Sequence, residues 1–325
     1  MEFPSSRKEW IEWIALTLAA VAFSQMNILF FFFLVPLQIV FHRRDFFSYG
    51  LSGAVVLLLI VLFSLLRVRM VESALLKQGL LLMELAFPFL LLAGGAWVNY
   101  SVHLGYRNLY RLLFAAAGAA VISVPAILVL TKNRELMNLL QEQFTAVAKV
   151  FLSNFQQADN FESSVLSGVL APERMLEYTT KVFFKSYVFF YFFILAGCAQ
   201  VSDLIMMRIR GVYYRRLDTF RVPDFFIWPL LVGWAGVLLD TWKGIGVAGY
   251  VFWNGALVFL FLYGLQGIGV LRALLHRYRV PMFVRLFIGL ICVMILMRPG
   301  LNLIVFIGIP GLGVSELWIR YRRNQ

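Results

Sequence analysis

Few residues in this chain have side chains that could do chemistry, and the most conspicuous is a carboxylate where hydrocarbon is expected. The stretch LLLMELAFPFLLLAG, Leu80 to Gly94, carries Glu84 and Pro88 inside an otherwise apolar run. An unpaired charge in a bilayer costs at least about 2.5 to 3.5 kcal/mol. Glu84 must then be protonated, be paired with another helix, or face a wet cavity. Lys77 lies seven positions earlier, about 10 Å along a helix axis, too far for a close pair within one straight helix. Pro88 lacks the amide that would bond the carbonyl of Glu84, so that oxygen is free for a partner or ligand. Two roles stay open for Glu84: a ligand or proton site, and a neutral acid bridging two helices. Asn254 in FWNGALV and Gln266 in YGLQGIG are the further candidates for a ligand or proton site. Their alternative is interhelical glue at about 1 kcal/mol each. Ser202, Asp203, Asp240 and Asn302 read first as packing or interfacial groups.

What is missing narrows the classes. The P-loop pattern G-x-x-x-x-G-K-[ST] does not occur, so the chain cannot supply its own ATPase by that route. GIGVAG, Gly244 to Gly249, matches G-x-G-x-x-G but sits between two apolar segments rather than between a strand and a helix, and it reads as a turn. His42, His103 and His276 fall at segment ends or in loops, and Cys198 and Cys292 lie inside apolar runs. No catalytic set, no disulfide framework and no spaced metal ligands emerge, and no cofactor is expected. The chain does not read as an enzyme.

The elements that hold these groups are set by the solvent. Of 325 residues 61% are hydrophobic and 14% charged, and the mean hydropathy is +0.82. That surface has no soluble way to hide, so the chain is an all-α, polytopic membrane bundle. Ten segments are expected, at roughly 10 to 24, 27 to 41, 49 to 66, 76 to 98, 109 to 130, 182 to 207, 224 to 242, 248 to 272, 283 to 297 and 300 to 319. AFSQMN, Ala22 to Asn27, is the only polar break between the first two, which could form one tilted helix and reduce the count to nine. The 29 Lys+Arg against 17 Asp+Glu flank apolar segments and form no single basic face, so nucleic acid is not an expected partner. With ten segments and both termini in the cytoplasm, most of the arginines gather on the inner side, while the short outer loops keep Arg67, Arg69, Lys77, Lys243 and Arg298. A multi-pass membrane protein with both termini on the cytoplasmic side follows.

Between Thr131 and Thr180 the pattern changes. Leu136, Leu140, Phe144, Val147, Phe151 and Phe155 recur at three- and four-residue steps opposite Asn138, Gln141, Glu142, Thr145, Lys149 and Ser153. That is an amphipathic helix lying on the membrane surface or capping the bundle. After a break at Gln156 to Ser164, Pro172 and Glu173 offer a helix start. The expected organisation is an N-terminal half at 1–130, an amphipathic insert at 131–181 and a C-terminal half at 182–325. No internal repeat is evident, so a duplicated transporter core is not supported.

The second half carries a family resemblance. SYVFFYFFILAGCAQVSDLIMMRIRG, FRVPDFFIWPLLVGWAGVLL, WNGALVFLFLYGLQGIGVLRALLHRYRVP and IPGLGVSELWIRYRR follow one another in the order of a basic loop, a proline-aromatic entry, a Gln-Gly helix and a closing W-x-x-x-R. The chain resembles the YybS-like family of bacterial membrane proteins, with Pro223, Trp228, Gln266, Gly267, Trp318 and Arg322 at the motif positions. Pro36 and Arg44 in VPLQIVFHRRDFFSYGLSGAV resemble its first proline-to-arginine turn. Ser202 and Asp203 stand near a usual Asn, and Ser315-Glu316 replace a usual Asp. The resemblance implies a likeness to the substrate-capturing subunits of energy-coupling-factor transporters, which meet a coupling protein through A-x-x-x-A on the first helix. Ala15 and Ala19 fit that pattern and mark a candidate partner-helix interface. Two functions follow as expectations: a solute-binding subunit of a transport complex, and a non-transporting scaffold that holds envelope or cell-surface assembly proteins.

Overall fold

The computed structural model describes residues 7–26, 29–156, 172–210, 220–298, 300–319 and 321–322. Every regular element among them is helical: α1 (Arg7–Ser24), α2 (Leu34–Arg43), α3 (Phe46–Val68), α4 (Ala74–Tyr100), α5 (Asn108–Lys132), α6 (Arg134–Gln156), α7 (Pro172–Arg210), α8 (Ile227–Lys243), α9 (Val247–Arg277), α10 (Met282–Leu296) and α11 (Asn302–Ser315). Single 3₁₀ turns, Phe30–Phe33 and Asp224–Phe226, lead into α2 and α8. The all-helical membrane architecture is thus as the hydropathy requires. Each expected segment falls on one helix, but six of them (α3, α4, α5, α7, α8 and α9) are long and apolar enough to cross a membrane. The helices at Phe30–Arg43, Met282–Leu296 and Asn302–Ser315 are apolar but shorter. Fifteen residues in α10 rise only about 22 Å against a hydrocarbon core of about 30 Å. The first two expected segments are separate helices packed on each other, not one tilted span.

Two compact units form, Met1–Val212 and Tyr213–Gln325. The first is built around α2. All residues from Leu34 to Val40 are buried, because α2 is apolar on nearly every face and α1, α3, α4 and α7 surround it. Its rim is polar: Arg43 Nη1 lies 2.5 Å from Glu12 Oε2, and Arg44 Nη2 donates to the Glu9 carbonyl at 2.6 Å, tying α2 to α1. Trp13 Nε1 and Thr17 Oγ1 of α1 both reach Ser52 of α3, at 2.8 and 3.1 Å. The helix starts follow their capping residues. Asp45 Oδ1 accepts from the Ser48 amide at 2.8 Å to open α3, Ser73 caps α4 and Asn133 caps α6.

The first part of the stretch expected as an amphipathic insert is helical, α6, and its first turn docks on the start of α4. Leu136 is buried, Asn133 Nδ2 donates to the Leu75 carbonyl at 2.8 Å, and Ser73 bonds to Glu135. The side chains of Phe144, Val147, Phe151 and Phe155 lie outside the described residues, as does the expected break at Gln156 to Ser164 apart from Gln156, which ends α6. Pro172 opens α7, which then runs unbroken for 39 residues, about 58 Å at helical rise. The structure therefore draws no boundary at 181/182. Helix α7 joins the N-terminal helices because Tyr191, Phe192 and Leu195 bury against them.

In the second unit α9 is central, with α8 and α11 packed on it and α10 packed on α11. The α9–α11 crossing is close enough that backbones touch. A Cβ on Gly267 would lie 1.9 Å from the Ile309 carbonyl oxygen, and one on Gly313 would lie 2.0 Å from that of Tyr263. Gly244 and Gly246 both have φ of +64°. The Gly244 amide caps α8 on the Asp240 carbonyl at 2.9 Å, so GIGVAG works as a helix-ending turn.

Candidate ligand site at Glu84

Glu84 lies ten residues into α4, about 15 Å along its axis. It borders a cavity of about 250 Å³ with Ser24, Gln25, Ser64 and Arg67 on its polar side and Phe30, Ile60, Phe87 and Pro88 among its apolar walls. Of the three possibilities for a carboxylate at this depth, the structure combines two: a partner from another helix and access to a cavity. Oε1 stands 3.7 Å from Arg67 Nη1 near the end of α3, and the Glu84 side chain is 32% exposed. That separation is an ion pair but too long for a hydrogen bond. Arg67 Nη2 donates instead to Gln25 Oε1 at 3.1 Å, and Gln25 Nε2 reaches Ser24 Oγ at 3.3 Å. Glu84 Oε2 is buried and has no hydrogen-bond partner. A carboxylate oxygen in that state is an open acceptor, and a ligand ammonium, hydroxyl or water would satisfy it.

Sequence reasoning missed Arg67 as the partner. A hairpin register centred on Val71 would place Arg67 beside Leu75, so spacing gave no sign of the pairing. The length of the guanidinium arm and the packing of α3 against α4 bring the groups together. The other two candidates belong to the second unit, so neither unit assembles all three. Asn254 is buried and its Nδ2 donates to the Tyr250 carbonyl one turn back, at 2.8 Å. Gln266 is fully buried; its Oε1 accepts from the Val222 amide at 2.7 Å and its Nε2 donates to the Gly313 carbonyl at 3.0 Å. It clamps the strap before α8 to α11, using both ends of the amide.

The remaining motif positions are structural in their contacts. Pro36 is in the buried run of α2, and Pro223 precedes the 3₁₀ turn into α8. Arg322 pairs with Glu316, through Nε at 2.6 Å and also through Nη2, which donates to the Phe220 carbonyl at 3.0 Å as well. Glu316 is buried, so the residue standing in for the usual Asp makes the pair. Gly267 makes the close crossing described above. Trp228 and Trp318 are exposed, at 61% and 74%. On α1, Thr17 and Ala20 face inward while Ala15 is exposed and Ala19 is half-buried. Asp203 pairs with His42 of α2 at 3.1 Å. Among the described residues no group of three or more His, Cys, Asp or Glu is arranged to hold a metal.

Comparison with known proteins fits this picture of an integral membrane bundle. No curated protein and no solved structure matches the chain. A family model does match, over residues 13–310, and its members are described as "Predicted membrane protein (DUF2232)". That span takes in every helix from α1 to the middle of α11 and all but two of the motif positions on which the resemblance to a family of uncharacterised polytopic membrane proteins rested. The chain belongs to the DUF2232 family of membrane proteins.

Proposed function

We propose that this protein is a non-enzymatic, solute-binding subunit of a membrane transport complex, and that Glu84 is its ligand contact. The observation that carries the reading is Glu84, with a buried Oε2 that has no hydrogen-bond partner, lining a 250 Å³ cavity together with Arg67 and Gln25. Such a wall suits a small solute with a donor for the carboxylate and an acceptor for the guanidinium. Coupling would come from partner proteins, since the chain has no P-loop, and the exposed Ala15 side of α1 is where a partner helix could approach closely. The membrane is a bacterial cytoplasmic membrane, with both termini on the inner side as the arginine distribution suggests.

A second reading keeps one observation of its own. The 3.7 Å pair between Arg67 and Glu84 links α3 to α4, which is what a scaffold for envelope or cell-surface assembly would need from the residue. Purification from the native host in mild detergent, with mass spectrometry of co-purifying proteins and small molecules, separates the two. A coupling protein with paired ATPases, or a stoichiometric polar metabolite, is expected. Envelope-assembly proteins with no small molecule would replace the transport reading by the scaffold.

A further inference from the structure

A second cavity, away from Glu84, has the opposite chemistry. It measures about 470 Å³ and lies between α4, α5 and α7. Its floor is made by Gly94, Ala115 and Gly118, and apolar groups make up most of its lining. The one hydroxyl on the floor is already engaged, because Tyr191 Oη donates to the Leu90 carbonyl at 2.8 Å. Gly94 permits that bond: a Cβ there would sit 1.9 Å from the hydroxyl. One polar group is not engaged. The indole Nε1 of Trp97, which lines the cavity, is buried and has no hydrogen-bond partner. A buried N–H left unpaired calls for an acceptor.

Position identifies the acceptor. Tyr106, Phe114 and Ile122 on the rim are 47%, 51% and 57% exposed, and Phe114 and Ile122 lie on α5, a helix long and apolar enough to cross a membrane, so the cavity opens toward lipid. It runs from Tyr106 in the α4–α5 turn to Ile122, about 21 Å down α5 at helical rise. That matches one leaflet together with its headgroup region, about 20 to 22 Å deep. Trp97 and Tyr106 sit at the turn end, where amphipathic rings meet headgroups. His103 and Arg107 are exposed in the same turn.

We infer that this groove is a specific site for one acyl chain of an anionic phospholipid: the tail lies on Gly94, Ala115 and Gly118, an ester carbonyl accepts from Trp97 Nε1, and the phosphate meets Arg107. A polar solute finds no wall here to bind.

The full chain, purified in mild detergent and stripped of lipid, is titrated with phosphatidylglycerol and with phosphatidylcholine, and bound lipid is counted by native mass spectrometry. One phosphatidylglycerol should be retained well beyond the rest. Gly118→Leu fills the groove, and because nothing lies within 4 Å of a Cβ at that position, the variant should melt with the wild type while losing this lipid by an order of magnitude or more. Trp97→Phe keeps the ring and removes the donor, and should weaken retention about tenfold. Arg107→Gln should reduce the preference for phosphatidylglycerol without emptying the groove. Equal retention by wild type and a folded Gly118→Leu would mean ordinary annular lipid and would overturn the assignment. So would a lipid-free wild-type dimer that Gly118→Leu dissociates, which would give the groove to a second copy.

Discussion

Replacing Gly267 by alanine tests whether α9 and α11 really meet backbone to backbone. The new Cβ would lie 1.9 Å from the Ile309 carbonyl oxygen, and real Cβ contacts essentially never fall below 3.0 Å, so the helices must part by about 1.1 Å. Neither neighbour is the end of a flexible side chain, and nothing can rotate away. Two losses follow. A radial gap of about 1 Å forfeits up to roughly half of each dispersion contact along the crossing. The Gln266 to Gly313 bond, now 3.0 Å, stretches beyond hydrogen-bonding range, and an unpaired buried amide costs about 1 to 3 kcal/mol. Together with about 1 to 3 kcal/mol for overpacking, Gly267→Ala should destabilise the second unit by about 2 to 6 kcal/mol. Gly308 and Gly311 of α11 supply the control, since nothing lies within 4 Å of a Cβ at either. Alanine there should be neutral or stabilising by up to about 1 kcal/mol through helix propensity. Thermal unfolding in detergent, followed by protease sensitivity of the second unit, reads the difference. Equal midpoints for Gly267→Ala and Gly311→Ala would refute the close crossing.

Other substitutions probe other joints of the same architecture. Gln266→Leu leaves the Val222 amide and the Gly313 carbonyl without their present partner, and should cost about 2 to 4 kcal/mol in the same unfolding assay, because both groups lose a buried hydrogen bond. Glu316→Ala and Arg322→Ala each strand one member of a pair whose side chains are only 7% and 11% exposed, for about 3 to 5 kcal/mol apiece; the double variant should fall well short of their sum in a double-mutant cycle. Asp45→Ala removes the cap of α3 and should cost about 1 kcal/mol. The Asp45 carboxyl is held below its ordinary 3.8: burial, the largest single influence, pushes it up, but hydrogen bonds from Ser48 and the charge of Arg44 outweigh that. A depressed folded-state value means that its stabilisation is present above about pH 3.8 and disappears as pH falls through the lower folded value, so wild type and Asp45→Ala should converge in stability in strong acid.

How far the sequence foretold these joints depends on the kind of contact. Helix positions were legible because apolar runs and helix starts are local: Pro172 stands where α7 begins. The amphipathic period at Leu136 and Leu140 marked α6 for the same reason. Burial was less legible. Leu34 to Val40 reads like any lipid-facing stretch, since protein interior and hydrocarbon select the same side chains, and only the surrounding helices show that α2 is a core element. The length of α7 was hidden because charged residues from Arg174 to Lys181 resemble a surface insert until the helix is seen to continue through them. Polar groups divided by how they are satisfied. Gln266 bonds to the Val222 amide and the Gly313 carbonyl, as a lone amide buried in a bundle can, whereas the pairing of Glu84 with Arg67 depends on tertiary approach across a hairpin and carries no spacing. Glu316 was noticed as a substitution within a motif, but its pairing with Arg322 six residues on became visible only where the chain turns after α11.

The central claim is that Glu84 holds a ligand and does not merely join α3 to α4. The most direct test compares Glu84→Gln with Glu84→Leu by native mass spectrometry of the small molecules each retains, alongside their melting temperatures. Glu84→Gln keeps the shape and part of the polar link to Arg67, so it should melt within about 1 kcal/mol of wild type while losing the solute that wild type carries. A solute retained undiminished by Glu84→Gln, or a wild type that carries none while Glu84→Leu fails to assemble, would contradict the account and leave Glu84 as a bond between helices.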